Sequence, residues 1–95
     1  MVLACNAFAV RDFDETIVAA KLGDVDAQFN LGDMYDNGDG IPENNTKAVK
    51  WFRKAADQGH VFAQFNLALM YGNGEGVPEN DAEAVKWYRK AAVQG

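Results

Sequence analysis

The chain of 95 residues lacks serine altogether and contains one cysteine and one histidine. The absence of serine excludes a Ser-His-Asp triad and the Ser-x-x-Lys chemistry of serine β-lactamases. The lone Cys5 cannot form an internal disulfide, and a Cys–His catalytic pair would have to join it to the distant His60. We therefore expect a protein that is not an enzyme and that has no catalytic, cofactor-binding or metal-binding residues.

Cationic side chains are scarce, with nine Lys and Arg against 14 Asp and Glu, so the formal net charge is −5. This balance disfavours binding to nucleic acids and to anionic membranes, because both need a surplus of Lys and Arg. Basic proteins or peptides are easier partners. Long apolar runs are also missing, since no stretch approaches the ~20 residues that a membrane-spanning helix needs.

The first ten residues, MVLACNAFAV, leave the compartment open. Segment 2–5 could be the end of the apolar region of a secretory signal, and Ala7-Phe8-Ala9 fits a small-x-small cleavage site before Val10. If residues 1–9 are the end of a signal peptide, the protein is periplasmic or secreted. If they are an apolar cap over the first helix, we expect it to be cytoplasmic.

A unit of 36 residues occurs twice in the chain. Residues 23–58 align without gaps on residues 59–94, and about 24 of the 36 aligned positions are identical. Upstream, the stretch DFDETIVAAKLG keeps the paired alanines and the closing glycine of the second half of the unit. We therefore predict an N-terminal apolar segment with a degenerate half-repeat in residues 1–22, a first repeat in 23–58 and a second in 59–95.

Each unit reads as two helices. The first helices begin near Val25 and Val61, and a glycine follows each of them where a left-handed C-cap is favoured. Asn or Asp precedes each second helix as an N-cap, and Glu83 is placed to complete a capping box with Asn80. The second helix of each copy carries the same apolar stripe. Lys and Arg lie between the stripe residues, and we expect these cations to point outward. The stripe residues are Ala48, Trp51, Phe52, Ala55 and Ala56, and then Ala84, Trp87, Tyr88, Ala91 and Ala92.

The loop between the two helices, YDNGDGIPENN, has the composition of a ligand loop but not its spacing. An EF-hand loop needs oxygen ligands at its third and fifth positions, and counting from Asp36 these are Gly38 and Gly40. A phosphate-binding loop ends in Gly-Lys-Ser/Thr, which is also missing here. We interpret the loop as a structural turn.

The repeated pattern A-x-x-x-LG-x-x-Y-x-x-G-x-G-[IV]-P, followed by A-x-x-W-[FY]-x-KAA-x-x-G, resembles the Sel-1-like repeat, a relative of the tetratricopeptide repeat. Ala68 replaces the signature glycine in the second copy, and Glu15 stands where the upstream half-repeat would have Trp. The signature positions in the first copy are Ala27, Leu31, Gly32, Tyr35, Gly38, Gly40, Ala48, Trp51, Phe52, Lys54, Ala55, Ala56 and Gly59.

The resemblance implies an all-α protein, an α/α superhelical solenoid of helix-turn-helix repeats with about five helices. It also implies a scaffold or adaptor that binds a protein or peptide. Some cysteine-rich members carry penicillin-binding or β-lactamase labels, and they have a disulfide pair in each repeat that this chain lacks. That activity is one alternative, and a structural fragment of a longer repeat protein is another.

In related solenoids the first helices line the concave face. The side of these helices away from Ala27, Leu31 and Tyr35 differs between the two copies, being acidic in the first and apolar in the second. Such a face suits an amphipathic peptide with basic residues at one end. The predicted partner-binding residues are Asp26, Phe29, Asp33, Asp36, Phe62 and Leu69.

Two further expectations concern packing. Phe62, Phe65 and Leu69 could pack between repeats or under a further unit, and this is the favoured interpretation for Phe65. His60 lies in a turn between helices, where we expect it to be solvated. Because solenoids usually need about three units, exposed repeat ends also suggest a homo-oligomer.

Overall fold

The computed structural model describes residues 12–94, and this range contains five α-helices and no β-strand. Each helix packs against the next one along the chain, which confirms the predicted all-α solenoid of helix-turn-helix repeats. The expectations about residues 1–9, Cys5 and Gly95 lie outside the described residues. The helices are α1 (Phe13–Lys21), α2 (Val25–Asn37), α3 (Asn45–Asp57), α4 (Val61–Asn73) and α5 (Asp81–Gln94).

The first helices of the two repeats, α2 and α4, begin and end as their sequences predict. The carboxylate of Asp24 accepts the backbone N–H of Ala27 at the start of α2. Gly38 and Gly74 end the two helices with φ of 67° and 69°, and their N–H groups donate to the carbonyls of Met34 and Met70. This left-handed conformation is accessible to glycine at little cost, and the chain can therefore turn sharply into the loop.

The second helices, α3 and α5, are capped by asparagine. The side-chain oxygen of Asn44 accepts the N–H of Lys47 at 3.0 Å, and that of Asn80 accepts the N–H of Glu83 at 3.1 Å. The predicted capping box is wrong in its second half. The N–H of Asn80 donates to the carbonyl of Tyr71, because the loop returns to the end of α4, and the Glu83 carboxylate pairs with Lys86 instead.

The apolar stripe of α3 is completely buried, whereas the matching stripe of α5 is buried only in part. Phe52 and Ala56 are 0% and 2% exposed, but Tyr88 is 37% exposed and Ala92 is exposed. The difference arises because α4 covers α3, while none of residues 12–94 covers the far side of α5. The prediction of the stripe is therefore confirmed for the first repeat and holds in the second for Ala84, Trp87 and Ala91.

Buried glutamines join successive repeats. The amide nitrogen of Gln28 donates to the carbonyl of Ala20 at 3.1 Å, and its oxygen accepts from Gln58 at 2.8 Å. A buried amide has to be paired in this way, because an unsatisfied polar group in the interior is costly. The second repeat reproduces both bonds, from Gln64 to Ala56 and from Gln94 to Gln64.

Arg53 is an exception to the expectation that the cations of the second helices point outward. Its side chain is half-buried, its guanidinium carbon lies 5.5 Å from the ring centroid of Tyr71 and 5.9 Å from that of Trp87, and it donates to the Tyr71 hydroxyl. The counterpart in α5, Arg89, is exposed. The second repeat thus covers the cation of the first repeat and joins it to two of its own aromatic rings.

Candidate protein-binding face

The predicted partner-binding residues lie along α2 and α4, the first helices of the two repeats. Phe62 and Leu69 are 68% and 39% exposed. Phe29 is half-buried, and the ring of Phe62 approaches it with a centroid distance of 6.5 Å. The structure therefore brings an aromatic residue of the first repeat close to one of the second.

His60 completes an aromatic cluster with Phe29 and Phe62. Its ring stacks on Phe29 with a centroid distance of 4.5 Å and an interplanar angle of 17°, and lies 6.1 Å from Phe62. The expectation that His60 is solvated is wrong, since its side chain is only 15% exposed. It is held there because its Nδ1 accepts the N–H of Ala63 as the N-cap of α4.

Asp26 lies at the edge of the aromatic cluster. Its carboxylate oxygen is 3.7 Å from Nε2 of His60, and its side chain is 84% exposed. Because Nδ1 of His60 accepts a hydrogen bond, the proton of the neutral imidazole is on Nε2, directed towards this carboxylate. Because the Asp26 side chain is 84% exposed, its carboxylate remains available to a cationic ligand.

The end of α2 carries an acidic group that extends into the second repeat. Burial raises the pKa of Asp36, and the negative charges of Glu75, Asp33 and Glu43 raise it further. The amide nitrogen of Asn37 donates to the Asp33 carboxylate at 3.0 Å. We define Asp33, Asp36, Glu43 and Glu75 as the acidic end of the face. A cation bound here would relieve the repulsion that disfavours the ionised form of Asp36.

The sequence interpretation missed Glu43 and Glu75. Both belong to the loops, and the signal for them was the loop pattern that recurs as DGIPE and EGVPE in the two copies. The pattern could place each glutamate in a turn. It could not show that Glu75 of one repeat lies near enough to Asp36 of the other to raise its pKa.

The opposite character prevails on α4, where Phe62, Phe65 and Leu69 follow one another at i, i+3 and i+7. The ring of Phe65 meets that of Tyr88 edge-on at 5.5 Å, so it packs within its own repeat and still remains 46% exposed. The favoured interpretation is that Phe65 packs between repeats or under a further unit. Its ring contact with Tyr88 lies within one repeat, and packing under a further unit stays a prediction. Leu69 likewise stays partly in solvent. We define Phe62, Phe65 and Leu69 as the apolar end of the face.

Comparisons with known proteins agree with the fold. The model of the Sel1 repeat matches residues 25–60 and again residues 61–95. A putative sel1-like repeat-containing protein of Acanthamoeba polyphaga mimivirus is 54% identical over 41 residues, which are 43% of this chain and 7% of that protein.

Solved structures resemble the chain over most of its length. A Sel1 repeat protein from Oxalobacter formigenes is 45% identical with a TM-score of 0.82 over 84% of this chain and 33% of that one. A protective antigen of uropathogenic Escherichia coli strains, which displays an SLR fold, is 46% identical with a TM-score of 0.84. The match covers 86% of this chain and 18% of that protein. The cysteine rich protein B of Helicobacter pylori is 29% identical with a TM-score of 0.83. The match covers 87% of this chain and 62% of that protein. The chain thus spans less than two thirds of each relative.

Proposed function

Because the chain belongs to the Sel1 repeat family, we propose that it is a protein-interaction module and not an enzyme. Proteins of this family are generally protein–protein interaction modules and are typically non-enzymatic scaffolds. The β-lactamase alternative has no support from the comparisons. Turnover of nitrocefin by the purified chain would contradict the non-enzymatic part of the proposal.

One observation supports placing the partner on α2 and α4. Along this face the second repeat has exposed apolar side chains, Phe62 and Leu69, where the first repeat has Asp26 and Asp33. Positions that only hold the fold together have little reason to differ in this way between two copies that share most of their residues. We propose that the face is concave, as in related solenoids, and that a partner lies across both helices.

The partner that fits this face is an amphipathic segment with basic residues at one end. Burying the exposed part of Phe62 would contribute roughly 3 kcal/mol to binding, because apolar area is worth about 25 cal/mol per Å². The acidic end would add less than about 1 kcal/mol for each exposed ion pair, and it would determine the orientation and speed of docking. Apolar contacts would therefore supply most of the affinity, and the carboxylates would select a basic partner.

The test is a pull-down from a lysate of the source organism with four forms of the protein. The wild type is compared with Asp33→Lys/Asp36→Lys, with Phe62→Ala/Leu69→Ala, and with the control Asp14→Lys, which changes an exposed acid of α1 outside the face. We expect a protein that the wild type and the control retain and both face variants lose. Equal retention by all four forms would refute the proposed face.

A homo-oligomer through the exposed repeat ends is a separate part of the proposal. Val85, Tyr88 and Val93 of α5 are 47%, 37% and 87% exposed at one end, and Val18 and Leu22 are 57% and 83% exposed at the other. Light scattering coupled to size exclusion would detect a dimer at high concentration. A monomer at every concentration would contradict it.

A further inference from the structure

A groove separate from the proposed face lies where α1, α2 and α3 meet. Its cavity of about 260 Å³ is lined by Ala20, Lys21, Gln28, Lys50, Trp51 and Lys54. We call it the lysine groove. Three of its six lining residues are cationic and none is acidic, although acidic residues outnumber basic ones in the whole chain.

The lysines converge on one aromatic ring. The ammonium nitrogens of Lys50 and Lys54 lie 5.5 and 5.8 Å from the ring centroid of Trp51, and Lys21 lines the same cavity from the last turn of α1. Within residues 12–94, none of the three ammonium groups has a carboxylate partner. Three cations around a concave surface concentrate a positive potential in the cavity.

The floor of the groove does not oppose an anion. The amide of Gln28 donates to the carbonyl of Ala20 and accepts from Gln58, so both its polar atoms are already used. Trp51 is only 6% exposed and forms an apolar wall. None of the lining residues is Asp or Glu, so an acidic group that enters the groove would meet the ammonium groups without competing with a carboxylate of the lining.

The positions of the second repeat that are equivalent to this lining carry a different charge, and we call them the matched groove. They are Ala56, Asp57, Gln64, Lys86, Trp87 and Lys90. Two contacts show that these positions are equivalent to the lysine groove. The hydrogen bond of Gln64 to Ala56 repeats that of Gln28 to Ala20, and two lysines lie over Trp87 as they do over Trp51. Asp57 stands at the position of Lys21. In addition, Lys86 pairs with Glu83 at 3.8 Å, where the first repeat has Lys47 in place of that glutamate. At the six lining positions, both differences make the first groove more positive than the second. Arg53 also lies 5.9 Å from the Trp87 ring centroid, but it is half-buried and donates to the Tyr71 hydroxyl.

We infer that the lysine groove of the first repeat binds acidic side chains of a protein partner, and that the matched groove of the second repeat does not. The cavity of about 260 Å³ has room for an acidic side chain, and each lysine ammonium is a compact point charge with three donors for a carboxylate. A nucleic acid is a poorer ligand, because its phosphate backbone needs a surplus of Lys and Arg over an extended surface and the chain has a net charge of −5. The inference rests on the proposed function, since the ligand belongs to a protein.

The test follows the two tryptophan indole N–H signals in NMR spectra of the ¹⁵N-labelled full chain. The titrant is a blocked octamer of glutamate at low salt. We expect the Trp51 signal to shift to saturation while the Trp87 signal changes little. Lys21→Asp makes the first groove like the second and should weaken the affinity about tenfold, because two unit charges change near the ligand.

The reciprocal variant Asp57→Lys makes the second groove like the first, and it should add a saturable shift of Trp87. Both substitutions lie at exposed helix ends, and unchanged signals elsewhere would show that the fold is intact. Equal shifts of both indoles in the wild type, or no effect of Lys21→Asp, would overturn the inference.

Two further titrations identify the ligand class. Inorganic phosphate should move Trp51 only at much higher concentration than the glutamate octamer, and so should a thymidine dodecamer. If either matches the octamer, the assignment to a protein partner is overturned. Asp33→Lys/Asp36→Lys serves as a control, because it alters the proposed face and should leave the glutamate titration in place. The groove and the face can therefore fail independently.

Discussion

Gly32 of α2 provides a sharp test of the packing between the two helices of the first repeat. A Cβ atom added at Gly32 would lie 2.7 Å from Cδ1 and 2.8 Å from Cε1 of Phe52. Phe52 is 0% exposed, so its ring is enclosed by the core and cannot move without displacing its neighbours or its own backbone. Gly32→Ala should therefore force α2 away from α3 or push Phe52 off its preferred rotamer.

The magnitude follows from two opposing effects. Overpacking a tight core costs about 1–3 kcal/mol, whereas replacing glycine by alanine inside a helix contributes about 1 kcal/mol. We expect the clash to win and the free energy of unfolding to fall by about 1 kcal/mol. In a domain of this size such a change lowers the melting temperature by roughly 5 °C.

Gly72 of α4 is the matched control. A Cβ atom at Gly72 would meet the Cβ of Ala84 at 3.8 Å, an ordinary van der Waals contact. Gly72→Ala should therefore raise the free energy of unfolding by about 0.5–1 kcal/mol through helix propensity alone. The two variants make the same chemical change in equivalent helices and should shift stability in opposite directions.

The assay is urea denaturation followed by circular dichroism at equilibrium for both variants. A third form, Gly32→Ala in a Phe52→Leu background, tests the cause, because the smaller side chain should remove the penalty of the added methyl. If Gly32→Ala stabilises the protein as much as Gly72→Ala does, the close approach of α2 to Phe52 is not rigid and the argument fails.

Three other predictions use the same stability measurement. Gln64→Ala should lower the free energy of unfolding by about 1–3 kcal/mol, because it leaves the carbonyl of Ala56 and the amide of Gln94 without their partner. An unchanged free energy of unfolding would show that solvent replaces the glutamine. Asp36→Asn should stabilise the protein at neutral pH. The raised pKa of Asp36 means that folding disfavours its ionised form. The gain in the free energy of unfolding should therefore shrink as the pH falls through that pKa. A gain that persists at low pH would contradict this cause. His60→Ala should lower the free energy of unfolding by about 1 kcal/mol, because α4 loses its N-cap. His60→Asp should recover part of this loss, because Asp24 caps the equivalent helix α2. Equal stability of the two variants would exclude a capping role.

Much of the fold was predictable because its signals are local and occur twice. The glycines after α2 and α4 and the asparagines before α3 and α5 act through backbone groups within a few residues, so their roles follow from spacing alone. The buried glutamines were visible as identical residues in both copies. They were missed because a polar side chain on a helix predicts exposure until its partners on the neighbouring helices are known.

The candidate site was predictable only in outline. Periodicity placed Phe62 and Leu69 on one side of α4, and the structure exposes both. It could not show that His60 would leave the solvent to stack on Phe29, since that contact joins two repeats. The aromatic cluster therefore depends on how α4 docks beside α2, which no local pattern specifies.

The sequence by itself determined the helix boundaries, the repeat and the family, because each rests on residues that act on their own neighbourhood along the chain. The tertiary structure decided which copies of equivalent residues are covered. Arg53 and Arg89 occupy the same position in their repeats, yet only Arg53 lies between the rings of Tyr71 and Trp87. Burial and the raised pKa of Asp36 depend on the adjacent repeat, because identical residues acquire different surroundings when only one of them is covered.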